Sequence, residues 1–85
     1  MKLLTTLEFN DLDFHSQAEY INKLANKYGG EDWLGYNKNT DCYYDKLECR
    51  YSGASKEECK VDNLYIYILE LIVFKVLMPE EAFKI

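Results

Sequence analysis

The chain is poor in the residues that most often announce chemistry. Its 85 residues include one histidine, one proline, one tryptophan and four glycines. A single histidine leaves little material for a histidine-based catalytic or metal centre. Gly29-Gly30 follows a helical stretch instead of opening one, so it does not form a phosphate-cradling loop. The longest apolar stretch, Leu64–Met78, falls short of the roughly 20 residues a membrane span needs, and Glu70 and Lys75 interrupt it. Basic residues are also scarce, 10 against 15 acidic ones, for a net charge of −5. A direct nucleic-acid binder needs a basic stripe to meet phosphates, so direct nucleic-acid contact is not expected. Three cysteines is an odd number, which fits free thiols better than a disulfide framework.

What remains is a folded, aromatic composition: 48% hydrophobic, 15% aromatic and eight tyrosines. That excludes disorder and points to one compact domain over residues 1–85, near the size where a core is only just sufficient. Met1-Lys2-Leu3-Leu4 starts like a secretory signal, but Thr5, Thr6 and Glu8 end the apolar region too early. A cytoplasmic protein with reduced thiols is therefore expected.

Leu64–Met78 is the segment best able to nucleate the core. Ser55-Lys56-Glu57-Glu58 before it has the form of a capping box, and Pro79 forbids continuation, so the pattern predicts one helix from about residue 55 to 78. Lys56, Lys60, Asn63, Tyr67 and Glu70 would form its polar stripe. Beyond Glu70 the stripe ends, and Lys75 would have to reach out from apolar surroundings. The tail from Pro79 would fold back over this end, or another chain would cover it.

Upstream, Leu3, Thr5, Leu7 and Phe9 alternate with polar neighbours, which predicts a strand over 2–9, followed by a turn at Asn10–Asp13. Ser16-Gln17-Ala18-Glu19 is a second capping box, opening a helix to about Tyr28 whose inner face is Ala18, Ile21, Leu24, Ala25 and Tyr28. Residues 31–39 read as a loop. Residues 40–51 read as a hairpin turning at Asp45-Lys46 with Asp41 opposite Arg50. A helix is the rival reading there, with Arg50 in its last turn and Gly53 past its end. The order β-α-β-β-α gives an α+β fold: a small three-stranded, mainly antiparallel sheet with two helices on one face. The alternative is a small all-α bundle.

No side-chain constellation carries a reaction. Cys42, Cys49, Cys59 and His15 lack the close cysteine spacing of structural zinc sites, so neither a metal nor a cofactor is expected. His15 reads as a packing partner of Tyr20. An enzyme is not expected, and the remaining candidates are surfaces. Trp33 and Tyr36, next to Glu31 and Asp32 in a glycine-flanked loop, have the composition of a partner-binding hot spot with an acidic rim. A lone tryptophan in a small domain more often caps the core. The acidic pairs Asp11/Asp13, Glu31/Asp32, Glu57/Glu58 and Glu80/Glu81 could stand in for phosphates.

In being small, acidic and tyrosine-rich, the chain resembles phage-encoded inhibitors of host restriction or CRISPR nucleases. The likeness covers no motif and names no family. It implies a cytoplasmic, non-catalytic anti-defence module, a DNA mimic that binds and inhibits a basic nucleic-acid-binding enzyme. The alternative function is structural, a homo-oligomer assembled through the apolar end Leu71–Met78.

Overall fold

The computed structural model describes residues 2–74 and 76–84. Short polar side chains begin most of its helices. Thr5 and Glu8 form a reciprocal capping box, with Glu8 N–H donating to Thr5 Oγ1 and Thr5 N–H to Glu8 Oε1, each at 3.1 Å. This starts helix α1 (Thr6–Asp11) where alternation predicted a strand. Thr-x-x-Glu supplies two local hydrogen bonds at once, and that outweighs a weak period-two pattern. Helix α2 (Phe14–Tyr28) is the helix expected from Ser16 to about Tyr28, but Asp13 caps it, accepting the Ser16 N–H at 2.7 Å. Gly30, at φ +79°, supplies the left-handed residue that turns the chain away at its end.

The sheet is three-stranded and antiparallel in the order β1-β2-β3, so the chain has a small α+β fold and is not an all-α bundle. Of the expected strands only the first arm of the 40–51 hairpin is present, as β2. The strands are β1 (Leu34–Asn37), inside the presumed loop, β2 (Cys42–Asp45) and the short β3 (Lys60–Val61). The hairpin turns at Lys38–Asp41, with Asn39 N–H donating to Asn37 Oδ1 at 3.1 Å and Asp41 at φ 52°. Asp and Asn tolerate that left-handed conformation better than most residues.

Asp45-Lys46 is a strand-to-helix junction instead of a turn. The Asp45 carboxylate accepts the Glu48 N–H at 3.0 Å and opens helix α3 (Lys46–Ser52), which Gly53 closes at φ 70°. Both readings of residues 40–51 thus hold in half: strand first, helix second. Asp41 does not face Arg50. Arg50 pairs with Glu31, at 3.0 and 3.4 Å, and Asp41 takes the Tyr36 hydroxyl.

The helix predicted from residue 55 is interrupted. Ser55 does accept the Glu58 N–H at 3.2 Å, but only a turn follows before β3. Asn63 then caps α4 (Leu64–Val73), so the polar stripe beginning at Lys56 does not lie on one helix. Helix α4 ends at Val73, before Pro79, and the Leu71 carbonyl accepts the N–H groups of Val76 and Leu77 at 2.9 and 3.1 Å. Pro79 begins the short α5 (Pro79–Ala82), and the expectation for Lys75 lies outside the described residues.

The core joins these pieces. Ala18, Ile21, Leu24 and Ala25 of α2 pack with Leu64, Tyr67 and Ile68 of α4, on the sheet face carrying Leu34, Tyr43 and Val61. The tail does fold back: Leu77, Ala82 and Phe83 are buried, and Phe83 meets Phe9 edge-on with ring centroids 5.7 Å apart. Tyr20 fastens it. Its hydroxyl donates to the Ala82 carbonyl at 2.6 Å and accepts the Leu4 N–H at 3.2 Å, while Lys84 N–H donates to the Leu4 carbonyl at 2.7 Å. Tyr20→Phe strands the buried Ala82 carbonyl and should lower stability by about 1–3 kcal/mol in urea unfolding. An unchanged midpoint would mean that apolar packing alone holds the tail.

Candidate functional site

In an antiparallel sheet, directly paired residues share a face. The register pairs Tyr36 with Tyr43 and Leu34 with Asp45, so both tyrosines lie on the face that α2 covers. The helix covers only part of it. Leu34 is buried beneath α2, whereas Tyr36 and Tyr43 run past the helix N-terminus and meet Phe14 and His15 there. The four rings form a continuous cluster. Centroids lie 5.2 Å apart for Tyr36–Tyr43, 5.3 Å for Phe14–Tyr43, and 5.7 Å from His15 to each tyrosine. His15 packs against these rings and not against Tyr20 as its sequence position suggested, and its Nδ1 lies 2.9 Å from the Tyr43 hydroxyl.

On the other sheet face, Gly35 lies beneath the Tyr44 ring, where an added Cβ would stand 2.4 Å from Tyr44 Cζ. Lys56 Nζ sits 5.5 Å from the centre of that ring. A larger residue at position 35 would require the Tyr44 ring to move.

Acidic groups surround the aromatic cluster. The Tyr36 hydroxyl donates to the Asp41 carboxylate, which raises the Tyr36 pKa above its ordinary value. Burial raises that of Tyr43, with further contributions from the charges of Asp41, Glu19 and Asp13. Both phenols are therefore neutral donors at physiological pH. Beside the cluster runs an open groove of about 840 Å³ between α2 and the sheet, with His15 and Tyr43 at one end and Asn26 and Asp32 at the other.

The sequence-predicted residues separate here. Tyr36 is 39% exposed within the cluster. Asp32 lines the groove and accepts the Asn26 Nδ2 hydrogen at 2.5 Å. Glu31 is exposed but engaged by Arg50. Trp33 is only 4% exposed, packed in the core against Gly29, so its indole is not offered to a partner. Its core-capping role wins because the neighbouring Leu34 and Asn22 draw the backbone inward. Phe14, His15 and Tyr43 join the site instead. Alternation of Leu34, Tyr36, Tyr43 and Asp45 would have found Tyr43 once the turn was placed at 38–41; Phe14 and His15 carried no such signal. Among the described residues, no group of three His, Cys, Asp or Glu side chains is placed to hold a metal ion.

The geometry offers binding surface: ring faces beside a groove of mixed charge, in which Glu19 pairs with Lys23 at 3.3 Å. Asp41→Asn should bring the Tyr36 pKa back toward the ordinary tyrosine value in an NMR titration of the tyrosine rings. The wild-type stabilisation from the neutral Tyr36 phenol is present below the ordinary tyrosine pKa and fades as pH rises through the raised folded-state value. A Tyr36 titration indifferent to the substitution would contradict the pairing. Comparison of the chain with protein-family models, with curated proteins and with solved structures gives no match.

Proposed function

We propose that the chain is a non-catalytic protein-binding module that modulates or inhibits its partner through the Phe14–His15–Tyr36–Tyr43 face. The observation that carries this reading is the exposed ring cluster with Asp13, Glu19 and Asp41 close enough to act on its Tyr43 phenol. Aromatic anchors supply most of the binding energy at protein interfaces, and a charged margin selects the partner and speeds encounter. With a net charge of −5, the partner class that fits best is a basic nucleic-acid-binding enzyme, such as a host restriction or CRISPR nuclease, reached in the cytoplasm. Asp32 and Tyr36 are retained as contacts from the sequence reading; Glu31 is held by Arg50, and Trp33 is buried in the core.

A second reading has its own observation. Val73, Phe74, Val76 and Met78 remain exposed after the tail has folded back, Phe74 by 75%. Clustered apolar side chains of this kind mark interfaces, which supports a homo-oligomer through Leu71–Met78. Among the described residues, no helix is long and apolar enough to cross a membrane.

The two readings separate in one pair of variants. Immobilised Tyr36→Ala/Asp32→Lys protein should keep its circular dichroism spectrum and lose capture of a nucleic-acid-binding enzyme by at least about tenfold, the loss of a single good anchor. Phe74→Glu should leave capture intact. If instead light scattering shows a concentration-dependent oligomer that Phe74→Glu disperses, while the first variant captures as well as wild type, the structural reading replaces the first.

A further inference from the structure

Cys49 and Cys59 come together because Asp45 fixes both. Asp45 N–H donates to the Cys59 carbonyl at 2.9 Å, which seats Cys59 beside the first turn of α3, and Cys49 lies one helical turn beyond Asp45. The turn after Gly53 closes the approach. The Ser55 carbonyl accepts the Cys59 N–H at 3.1 Å and the Cys49 thiol at 3.5 Å, so both residues converge on one oxygen. Cys59 is 2% exposed and Cys49 is partly exposed, so one sulfur of the pair is reachable from solvent and the other waits behind it. Cys42 lies apart on β2, its thiol donating to the Thr40 carbonyl at 3.1 Å.

We propose that Cys49 and Cys59 form a dithiol that closes to a disulfide by exchange with a low-molecular-weight disulfide such as oxidised glutathione, tying α3 to the start of β3. Cys49 Sγ attacks one glutathione sulfur. A Cys49–glutathione bond forms, the glutathione disulfide breaks, and the departing glutathione takes up the Cys49 proton. Cys59 Sγ then attacks Cys49 Sγ, and the second glutathione leaves with the Cys59 proton. Two protein thiols are oxidised and one disulfide is reduced to two thiols, so atoms and electrons balance.

The order follows from the surroundings. The contact with Cys49, followed by burial, pushes the Cys59 thiol up to about 12, so Cys59 does not react first. Once Cys49 is bonded to glutathione, it can no longer carry the negative charge that opposes ionisation of Cys59, and the second attack becomes easier. Closure confines a loop of about ten residues and should raise the thermal midpoint by roughly 5–10 °C.

The test is peptide mapping by mass spectrometry of the full chain after incubation with oxidised glutathione and alkylation of remaining thiols. The expected product is a Cys49–Cys59 crosslinked peptide without retained glutathione, reversed by dithiothreitol, with the thermal midpoint raised relative to the reduced protein. Cys59→Ala should stop at the Cys49–glutathione adduct. A wild-type protein that accumulates that same adduct, keeps all its thiols, or pairs Cys42 instead would overturn the proposal. The wild-type map decides the question even if Cys59→Ala fails to fold.

Discussion

The arrangement depends on one side-chain amide. Asn22, in the middle of α2, accepts the N–H groups of Trp33 and Leu34 at 3.1 and 2.9 Å and donates to the Leu34 carbonyl at 3.0 Å. Strand β1 lies at the edge of the sheet, so its outward backbone groups have no strand to pair with. Asn22 supplies the missing partners and fixes where the sheet meets the helix. Trp33 and Leu34 are thereby drawn into the core, and Tyr36, two residues on, emerges past the helix end beside His15. The aromatic face follows from where Asn22 pins the strand.

Asp45 plays the corresponding part at the other end of the sheet. It caps α3, pairs with the Cys59 carbonyl through its own N–H, and lines one cleft with Tyr67, whose pKa is raised by burial first and then by the charge of this carboxylate. A strand, a helix start and a core tyrosine meet at this one residue. That is why Asp45-Lys46 cannot be the hairpin turn that simple alternation suggested. The same residue brings Cys49 and Cys59 within reach of each other.

The sequence was legible wherever hydrophobic periodicity ran long, and misleading where a short polar side chain acted alone. Ala18, Ile21, Leu24 and Ala25 identify α2 because the spacing of one helical face repeats over about two turns. At Thr5–Glu8 a reciprocal capping box prevails over the alternation around it, whereas the capped turn at Ser55–Glu58 does not continue as a helix, because one cap stabilises only a first turn. The fold class survived these exchanges: a strand lost at the N-terminus was replaced by one inside the presumed loop. Tyr36 and Asp32 are readable as surface residues from their glycine-flanked surroundings, and the burial of Trp33 is readable from the general tendency of a lone tryptophan to cap a core, but the contact that fixes it, with Asn22 eleven residues away, is not. Phe14 and His15 reach the site through tertiary contact, which no local pattern records.

The central claim is that Asn22 holds the sheet to α2. Asn22→Ala removes the partners of two backbone donors and one acceptor at the edge of the core, and each orphaned group costs on the order of 1 kcal/mol or more. Urea unfolding of Asn22→Ala beside wild type measures this directly. The account predicts a loss of about 2–4 kcal/mol, whereas a stability within about 0.5 kcal/mol of wild type, the range of an ordinary surface substitution, would contradict it.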